Sequence, residues 1–528
     1  MNICSYDNSH FRSCQGFRRR LACFFASGRK LYFAHKIRPR FLYKWLSCLL
    51  SVRRFSCIIV SLFAVRPART PARGREGPHL NVNDTDLSVG SITKQLVRFV
   101  IPIWLGALIQ QFYNMADAMF VGNYVGKAAL AAVGGPCSQI TTLMVCFFVD
   151  LAAGCSVIVA QYFGARDEKN VGRALHTAMA IAFIGGFALI GFGFACTPWL
   201  MRVMDASGEI YTYGKTYLYI YFGGMFFVTF YNLGSSTLRA LGDSKSPFYA
   251  LVAGCFTNIF LDWLFIAKFG FGVAGAAAAT VISEGLSCVF ILRSLSHLPE
   301  AYRLHFKKIG IHRGIIGSML RIGVPESTQT ILYSITNIMI QTNIDGFGTN
   351  AIAAMSAYSK VDAFCWVTLD SFGVAITAIS GQYYGAGKVD GVRRSVRVCA
   401  VLAAVSMTVI GGILLLLGPQ LFTLFTRDPD VITIALEIQR LLVPFYLSFI
   451  GVVVLSGALR GMGYSFVPMF ITLVGICIVR VIWLLTVVPL RPEFMTTIWS
   501  YPVTWTITSI AFLIYYRRMI RRECRLHA

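Results

Sequence analysis

The sequence predicts an all-α membrane protein with twelve transmembrane helices, arranged as two six-helix lobes that an internal repeat relates. Three observations lead to this prediction. The 528-residue chain is 56% hydrophobic and only 14% charged, whereas a soluble globular chain carries about 25% charged residues. Its apolar runs of roughly 18–25 residues alternate with short polar loops, which is the spacing of membrane-spanning helices. Several motifs also occur twice at a nearly constant interval.

The repeat is clearest in two motifs. Residues 161–165 read QYFGA, and residues 382–386 read QYYGA. The same interval separates Leu238-Arg239 from Leu459-Arg460, and each pair precedes a glycine and a proline at matched positions. Further upstream the interval drifts slightly, as a short insertion would cause. Duplicated apolar halves are the usual architecture of secondary transporters, with the substrate site between the halves.

The twelve apolar segments divide evenly between the two copies. The first lobe is expected over residues 90–300 and the second over residues 301–522. Several segments are long enough to tilt or to project from the bilayer. The predicted helices are 96–118, 129–161, 172–200, 212–238, 247–267, 273–295, 315–343, 351–382, 393–425, 432–458, 466–488 and 495–517.

Residues 1–85 differ from the rest and lie outside the repeat. Residues 1–80 hold 16 Lys and Arg against Asp7 and Glu76, so they carry 14 of the net 24 positive charges. Their longest apolar stretch is interrupted by Arg53-Arg54 and makes a poor membrane span. An organellar transit peptide and upstream sequence translated from a misplaced start both fit this composition. We favour the second, and expect a basic N-terminal extension that is not native or is disordered.

Loop charge predicts the orientation. The loops after the even-numbered helices, together with the C-terminus, carry twenty Lys and Arg, against six in the opposite loops. Under the positive-inside rule both termini are cytoplasmic. We therefore expect a multi-pass protein of the cell (plasma or inner) membrane, whose lobes share one orientation. The basic charge is assigned to these loops and the extension, and no nucleic-acid partner is expected.

A carboxylate inside the first predicted helix is the first candidate for function. Gln110, Tyr113, Asn114 and Asp117 follow i, i+3, i+4, i+7 spacing and share one helix face. An ionised group at mid-membrane costs about 2.5–3.5 kcal/mol on insertion scales, so each such residue needs a partner or a function.

A second carboxylate lies in the fifth predicted helix. Asp262 follows Asn258 by one turn, and Thr280 lies in the sixth helix within a run of small residues that lets helices approach closely. If Asp117 and Asp262 meet, they cannot both stay ionised cheaply, so one takes a proton or a cation neutralises the pair. Oxygen ligands from Asn and Thr suit a hard cation such as Na⁺. The alternative places these acids at the extracellular interface or against an arginine.

Other polar and aromatic residues also lie within the predicted helices. We expect Arg480 to neutralise Asp370 or Glu326, with direct coupling as the alternative. The aromatic clusters at 217–222 and 226–231 are interpreted as packing, or alternatively as a cavity for flat cations. The remaining charged candidates are Glu284, Asp150, Asp362 and Arg321.

No pattern typical of an enzyme is found. Walker A, Gly-Xaa-Ser-Xaa-Gly and His-Glu-Xaa-Xaa-His sequences are absent. The 15 cysteines lack metal-ligand spacing and are interpreted as small buried hydrophobes. We therefore predict no catalytic residues and no cofactor. No metal is expected beyond a possible Na⁺ at Asp117, Asn258, Asp262 and Thr280.

With these residues in view, the chain resembles the multidrug and toxic compound extrusion (MATE) transporters over about residues 90–520. The resemblance rests on Ile101-Pro102 before Asp117, on the repeated QY(F/Y)GA and Leu-Arg-Xaa-Xaa-Gly motifs, and on the segment 257–262. It is more similar to the DinF-like branch, in which an Asn and an Asp stand one turn apart in helix 5.

The resemblance implies particular roles. Asp117, Asn258, Asp262 and Thr280 would form the cation-binding and coupling site. A second-lobe site stays open, because Glu326 and Glu437 do not match the positions that the NorM-like branch uses. The residues expected to line the substrate cavity are Gln110, Tyr113, Asn114 and Asn232.

The expected function is secondary active multidrug efflux, in which organic and often cationic compounds leave in exchange for H⁺ or Na⁺. The expected partners are the lipid bilayer and these small molecules, with the chain acting as a monomer. One alternative is a lipid-linked sugar flippase, which would be expected to have a strongly cationic central cavity. The other is a non-transporting receptor or scaffold, which gives no reason for duplicated halves with buried acids.

Overall fold

The chain folds into long helices, and no strand occurs in residues 86–88 and 90–527, which are the residues that this computed structural model describes. The predicted extension, 1–85, lies outside them. The helices are α1 Ile92–Val125, α2 Lys127–Gly164, α3 Glu168–Val203, α4 Gly208–Gly223, α5 Met225–Ala240, α6 Lys245–Lys268, α7 Gly272–Ser296, α8 Arg313–Asp345, α9 Thr349–Gly385, α10 Val389–Thr423, α11 Pro429–Gly461, α12 Phe466–Leu490, α13 Phe494–Ile498 and α14 Ser500–His527.

Every predicted segment overlaps one of these helices or a consecutive pair. Nine helices in the described part of the chain are long and apolar enough to cross a membrane: α1, α2, α3, α6, α7, α9, α10, α11 and α12. The fourth predicted span is interrupted at Gly224, which separates α4 from α5, each of 16 residues. α8 is rich in Ser, Thr, Asn and Gln, and α14 ends in a run of arginines. The count of twelve spans and the division into two lobes stay predictions.

Four of the helices contain a π-helical turn. These turns cover Val121–Val125 in α1, Val133–Cys137 in α2, Trp263–Lys268 in α6 and Leu473–Ile478 in α12. Single π turns inside α-helices are frequent at functional sites. Two of them directly concern the predicted site, because Asp117 lies one turn before the first and Asp262 immediately precedes the third.

Glycines let helices from the two halves cross closely. α2 packs against α8 and α9, and α1 packs against α6 and α9. At the α2–α8 crossing, a Cβ atom added to Gly154 would lie 2.7 Å from the Cα atom of Gly323. Without a hydrophobic driving force in lipid, small residues that allow close backbone packing are what hold such helices together.

The first residues of each half pack into the core of the other. Leu96 and Phe99 of α1 are buried with helices of the second half, whereas Met319 and Ile322 of α8 are buried with helices of the first. The interval from Leu96 to Met319 equals that from Phe99 to Ile322, so the two pairs occupy equivalent positions of the repeat. This reciprocal exchange ties the two repeats together.

The described cysteines behave as the sequence predicts for small hydrophobes. All ten are free thiols, and seven of them are buried: Cys137, Cys155, Cys255, Cys288, Cys365, Cys399 and Cys477. No cluster of three or more His, Cys, Asp or Glu suited to a metal occurs among the residues described.

Candidate functional site

The candidate site lies in the first half, where α1 packs along α6 and α6 along α7. The carboxyl groups of Asp117 and Asp262 lie close enough to interact directly, as two acceptors that a proton or a cation between them would link. We call these two residues the acid pair. Asp262 is fully buried and Asn258 is 1% exposed. Packing of α1 on α6 thus brings together two carboxylates that are far apart in the sequence.

The acid pair lacks donors from the protein. Both carboxylate oxygens of Asp262, the Oδ1 atom of Asp117 and both polar atoms of the Asn258 amide are buried without a hydrogen-bond partner. Leaving one buried polar group unsatisfied typically costs about 1–3 kcal/mol. So many unsatisfied oxygens in one place fit a site that a proton or a hard cation completes.

No basic residue neutralises the pair. Within the described residues, no Lys, Arg or His nitrogen lies within 4.0 Å of Asp117 or Asp262. The alternative that an arginine pairs with them is therefore wrong for this structure. Two adjacent carboxylates without a counter-charge must share a proton or a cation.

Thr280 and Glu284 add oxygens from α7. Thr280 is buried and donates its hydroxyl hydrogen to the Ala276 carbonyl at 3.0 Å, which leaves the oxygen lone pairs available. It has no hydrogen bond to the acid pair. One turn later, the Oε2 atom of Glu284 is buried without a partner. Glu284 is absent from the predicted cation site, although its i, i+4 spacing from Thr280 could have indicated it.

The four predicted cavity residues do not all reach these acids. Tyr113 lies within electrostatic range of both Glu284 and Asp117. Gln110 and Asn114 are exposed on α1. Asn232 donates its amide hydrogen to the Val228 carbonyl of its own helix at 2.8 Å. Only Tyr113 is thus brought beside the acid pair, and the other three stay predictions for a cavity outside it.

The second half holds a buried acid of a different kind. Asp362 on α9 accepts hydrogen bonds from the Tyr358 hydroxyl and the Trp366 indole, both at 2.9 Å, and from the Tyr446 hydroxyl. These three donors satisfy the carboxylate. Asp362 therefore differs chemically from the acid pair, whose oxygens receive no protein donor.

Arg480 has partners that the sequence did not predict. Its Nη atoms donate to Asn337 Oδ1 at 3.1 Å and Thr504 Oγ1 at 3.3 Å, and its guanidinium lies 4.4 Å from the centre of the Tyr501 ring. The predicted pairing of Arg480 with Asp370 or Glu326 is wrong. The guanidinium is fully buried and is held by neutral oxygens and an aromatic face instead.

Glu326 pairs with Arg460, which joins α8 to α11. Arg460 and its repeat partner Arg239, which belong to the charges assigned to loops, lie in the last turns of α11 and α5. Other residues of both charge sets also lie within helices, among them Arg517 of α14 and Arg202 of α3, so the predicted bias and orientation are unchanged. Arg460 also lies within electrostatic range of Asp150.

The repeated QY(F/Y)GA motifs meet each other across the two halves. Gln161 Nε2 donates to the Gly461 carbonyl at 2.9 Å, and Gln382 Nε2 donates to the Ala240 carbonyl at 2.8 Å. Both donors and both acceptors occupy matched positions of the repeat, so the two bonds are equivalent. Gly164 packs against the Gln382 carbonyl, and Gly385 packs against that of Gln161. These contacts make the motifs a structural junction between the halves.

Comparison with known proteins decides the family. The MatE family model matches residues 102–264 and again residues 325–485, once in each half. This chain belongs to the MatE family. The double match falls on the two copies of the repeat, and it confirms the family that the sequence motifs predicted.

Two relatives of this MatE protein are named as probable multidrug resistance proteins. The probable multidrug resistance protein YoeA of Bacillus subtilis is 26% identical over 445 residues, which cover 82% of this chain and 95% of the relative. The probable multidrug resistance protein NorM of Thermotoga maritima is 27% identical over 401 residues, covering 74% and 85%. The solved structure of a MOP superfamily transporter from Pyrococcus furiosus superposes with a TM-score of 0.78 at 24% identity, covering 85% and 99%.

Family membership makes the chain a multi-pass membrane transporter of a multidrug efflux family. The DinF-like branch, the coupling ion, the substrates and the roles of individual residues stay predictions.

Proposed function

We propose that this MatE protein is a secondary active antiporter that exports organic, often cationic, compounds in exchange for inward-moving H⁺ or Na⁺. One observation carries the proposal. The acid pair and Asn258 present buried oxygens with no protein donor and no basic neighbour. The multidrug resistance names of its relatives support the choice of substrate class.

In this mechanism the acid pair is the coupling site. A proton would be shared between Asp117 and Asp262. A Na⁺ ion would instead be held by their carboxylates with the Asn258 amide oxygen, a set that suits a hard cation. Thr280 lies on the adjacent helix and would serve as a further oxygen donor. Tyr113, which lies within electrostatic range of both Asp117 and Glu284, would connect the acid pair with the Glu284 carboxylate.

Loading and release of the cation would drive alternating access. Without the cation, the two carboxylates repel each other between α1 and α6, and this repulsion favours separation of the two helices. With the cation bound, the pair carries one negative charge instead of two, the repulsion is relieved and the helices pack closely. One charge that crosses a potential of 100 mV supplies about 2.3 kcal/mol, which supports roughly fifty-fold accumulation of substrate.

Transport into everted membrane vesicles tests the proposal. Uptake of a fluorescent organic cation should require a proton gradient or a Na⁺ gradient, imposed separately. Asp117→Asn and Asp262→Asn should each abolish gradient-driven uptake, because the amide keeps the size of the side chain but removes its charge. The protein level and membrane insertion should stay normal.

Two aspartates outside the site provide matched controls. Asp167 accepts from the Asn170 backbone at 3.2 Å, and Asp243 accepts from the backbone of Lys245 and Ser246, both at 3.0 Å. Asn also caps helices well, so Asp167→Asn and Asp243→Asn should transport normally. If both acid-pair variants move substrate against a gradient at wild-type rates, the coupling site is elsewhere. If the wild-type protein moves no compound under either gradient, antiport itself is wrong.

A further inference from the structure

A groove of about 970 Å³ lies in the second half between α10, α11 and α14. Its depth is apolar, with walls that include Ala404, Leu447 and Leu513. Gly451 and Ser509 face each other at the wall, where an added Cβ on the glycine would meet the serine hydroxyl. Small residues therefore let α11 and α14 pack closely at this wall.

Five arginines line the mouth of the groove: Arg393, Arg397, Arg517, Arg521 and Arg525. The spacing is i, i+4 on α10 and i, i+4, i+8 on α14, so each helix turns one arginine face to the groove. Among the residues that the structure describes, none of the five makes an ion pair or a side-chain hydrogen bond. The lining contains no acidic residue.

A buried hydroxyl also faces this mouth. Tyr516 is 6% exposed, lines the groove, and its hydroxyl has no hydrogen-bond partner. It lies within electrostatic range of Arg393 and Arg397. The site therefore offers five free guanidinium groups and one unsatisfied hydroxyl, all suited to an anion with several oxygens.

The first half contains an equivalent groove at the corresponding positions of the repeat. There it measures about 560 Å³ and is lined by Phe183, Phe226, Phe230 and Leu292. Each of these is the repeat equivalent of a residue that lines the second-half groove. The linker between the halves, through Phe306 and residues 309–311, covers it. The first-half groove is thus packed by aromatic rings and by the chain itself.

The arginines are specific to the second half. None of the residues at the equivalent positions of the first repeat is a Lys or an Arg: Gly172, His176, Ser296, Glu300 and Leu304. The repeat therefore does not explain them.

We propose that the second-half groove binds an acidic phospholipid of the adjacent membrane leaflet, which the charge bias predicts to be cytoplasmic. The arginines and Tyr516 would hold the anionic headgroup, and the apolar depth between α10, α11 and α14 would take acyl chain. Basic clefts between membrane helices are known sites for such headgroups. A basic peptide segment such as the first-half linker, with Lys307 and Lys308, does not complement this mouth.

Native mass spectrometry of the purified full chain tests this proposal. Phosphatidylglycerol and phosphatidylcholine with identical acyl chains are titrated separately. We expect phosphatidylglycerol to bind at least about tenfold more tightly. The triple variant Arg517→Gln, Arg521→Gln, Arg525→Gln should lose about tenfold or more of that affinity.

A second triple variant, Arg394→Gln, Arg518→Gln, Arg522→Gln, removes the same amount of charge from α10 and α14, at positions outside the groove. It should change the affinity by less than about threefold. Equal losses in the two triples would show that diffuse surface charge attracts the lipid, and would overturn the proposal. Equal affinity for the two lipids would also overturn it.

A variant that fills the groove tests the contribution of the acyl chain to lipid binding separately from that of the headgroup. Ala404→Phe with Leu447→Phe gives the second half the residues that Phe183 and Phe226 supply in the first, and leaves every arginine in place. This variant should also lose phosphatidylglycerol while its melting temperature is retained or raised. Unchanged lipid binding in a folded protein would contradict a groove-bound lipid. A dimer that the groove variants dissociate would identify a second copy of the chain as the occupant instead.

Discussion

The two halves share one helix plan but surround two of their acids, Asp262 and Asp362, in opposite ways. In the first half, both carboxylate oxygens of Asp262, one of Asp117 and the Asn258 amide are buried without donors from the protein. In the second half, Asp362 accepts three hydrogen bonds, from Tyr358, Trp366 and Tyr446. A satisfied polar network adds rigidity, whereas an unsatisfied one lowers stability and is usually kept for function. The comparison therefore supports the proposal that coupling takes place in the first half, with Asp362 in a structural role in the second.

The largest expected effect separates the two kinds of acid. Asp362→Ala leaves the donors of Tyr358, Tyr446 and Trp366 buried and unpaired, so we expect a loss of about 3–5 kcal/mol and a clear fall in the melting temperature of the purified protein. Asp262→Asn removes a charge that has no partner, and should leave the melting temperature unchanged or raise it.

The isosteric variant Asp362→Asn serves as the control, because its amide oxygen can still accept two of the three hydrogen bonds. It should fall between the wild-type protein and Asp362→Ala. Equal destabilisation by Asp262→Asn and Asp362→Ala would remove the distinction between the halves.

A smaller effect is expected where the two halves are alike. Gly164→Ala and Gly385→Ala each place a Cβ against a backbone carbonyl of the opposite motif. Overpacking of this kind costs about 1–3 kcal/mol, and the repeat predicts similar losses of thermal stability for both. Gly191 and Gly412 have no atoms within 4 Å of an added Cβ, so alanine there should be neutral or slightly stabilising. A neutral Gly164→Ala would show that the junction is loosely packed.

The smallest expected effect concerns the one difference between Gln161 and Gln382, the two equivalent glutamines of this junction. Gln161 donates one bond across the halves, whereas Gln382 donates one and also accepts from the Leu87 backbone at 2.9 Å. Each bond contributes about 0.5–1.5 kcal/mol, so Gln382→Leu should lower thermal stability about twice as much as Gln161→Leu. Thermal melts of both variants in one detergent decide this. Equal losses would indicate that the contact with Leu87 adds nothing.

The helices and the acid pair could be predicted because their signals are local. An apolar run of sufficient length marks a helix wherever its neighbours lie. Asp117, Asn258 and Asp262 stand out because charged or amide groups are rare in such runs. Two further local signals in the sequence indicate the surroundings of these acids. Tyr358 and Trp366 lie one turn on either side of Asp362, and Glu284 lies one turn after Thr280.

The ion pairs could not be predicted because they depend on packing between distant helices. Glu326 and Arg460 are separated by 134 positions, and nothing near Arg460 distinguishes it from the loop charges that follow other helices. Arg480 was predicted to pair with a carboxylate, but in the fold its guanidinium contacts Asn337, Thr504 and Tyr501 instead. The interruption at Gly224 also depends on context, since other glycines in these helices leave them continuous.

The π turns next to the acid pair have a mechanical consequence. A π turn holds one more residue than an α turn, and each residue advances an α-helix by about 100°. If such a turn moves along its helix, the side chains it passes swivel by about that angle while the rest of the rod keeps its hydrogen bonds. Asp117 and Asp262 stand beside the π turns of α1 and α6. Each carboxylate can therefore be re-aimed by a shift in helical register, without unwinding the helix that carries it.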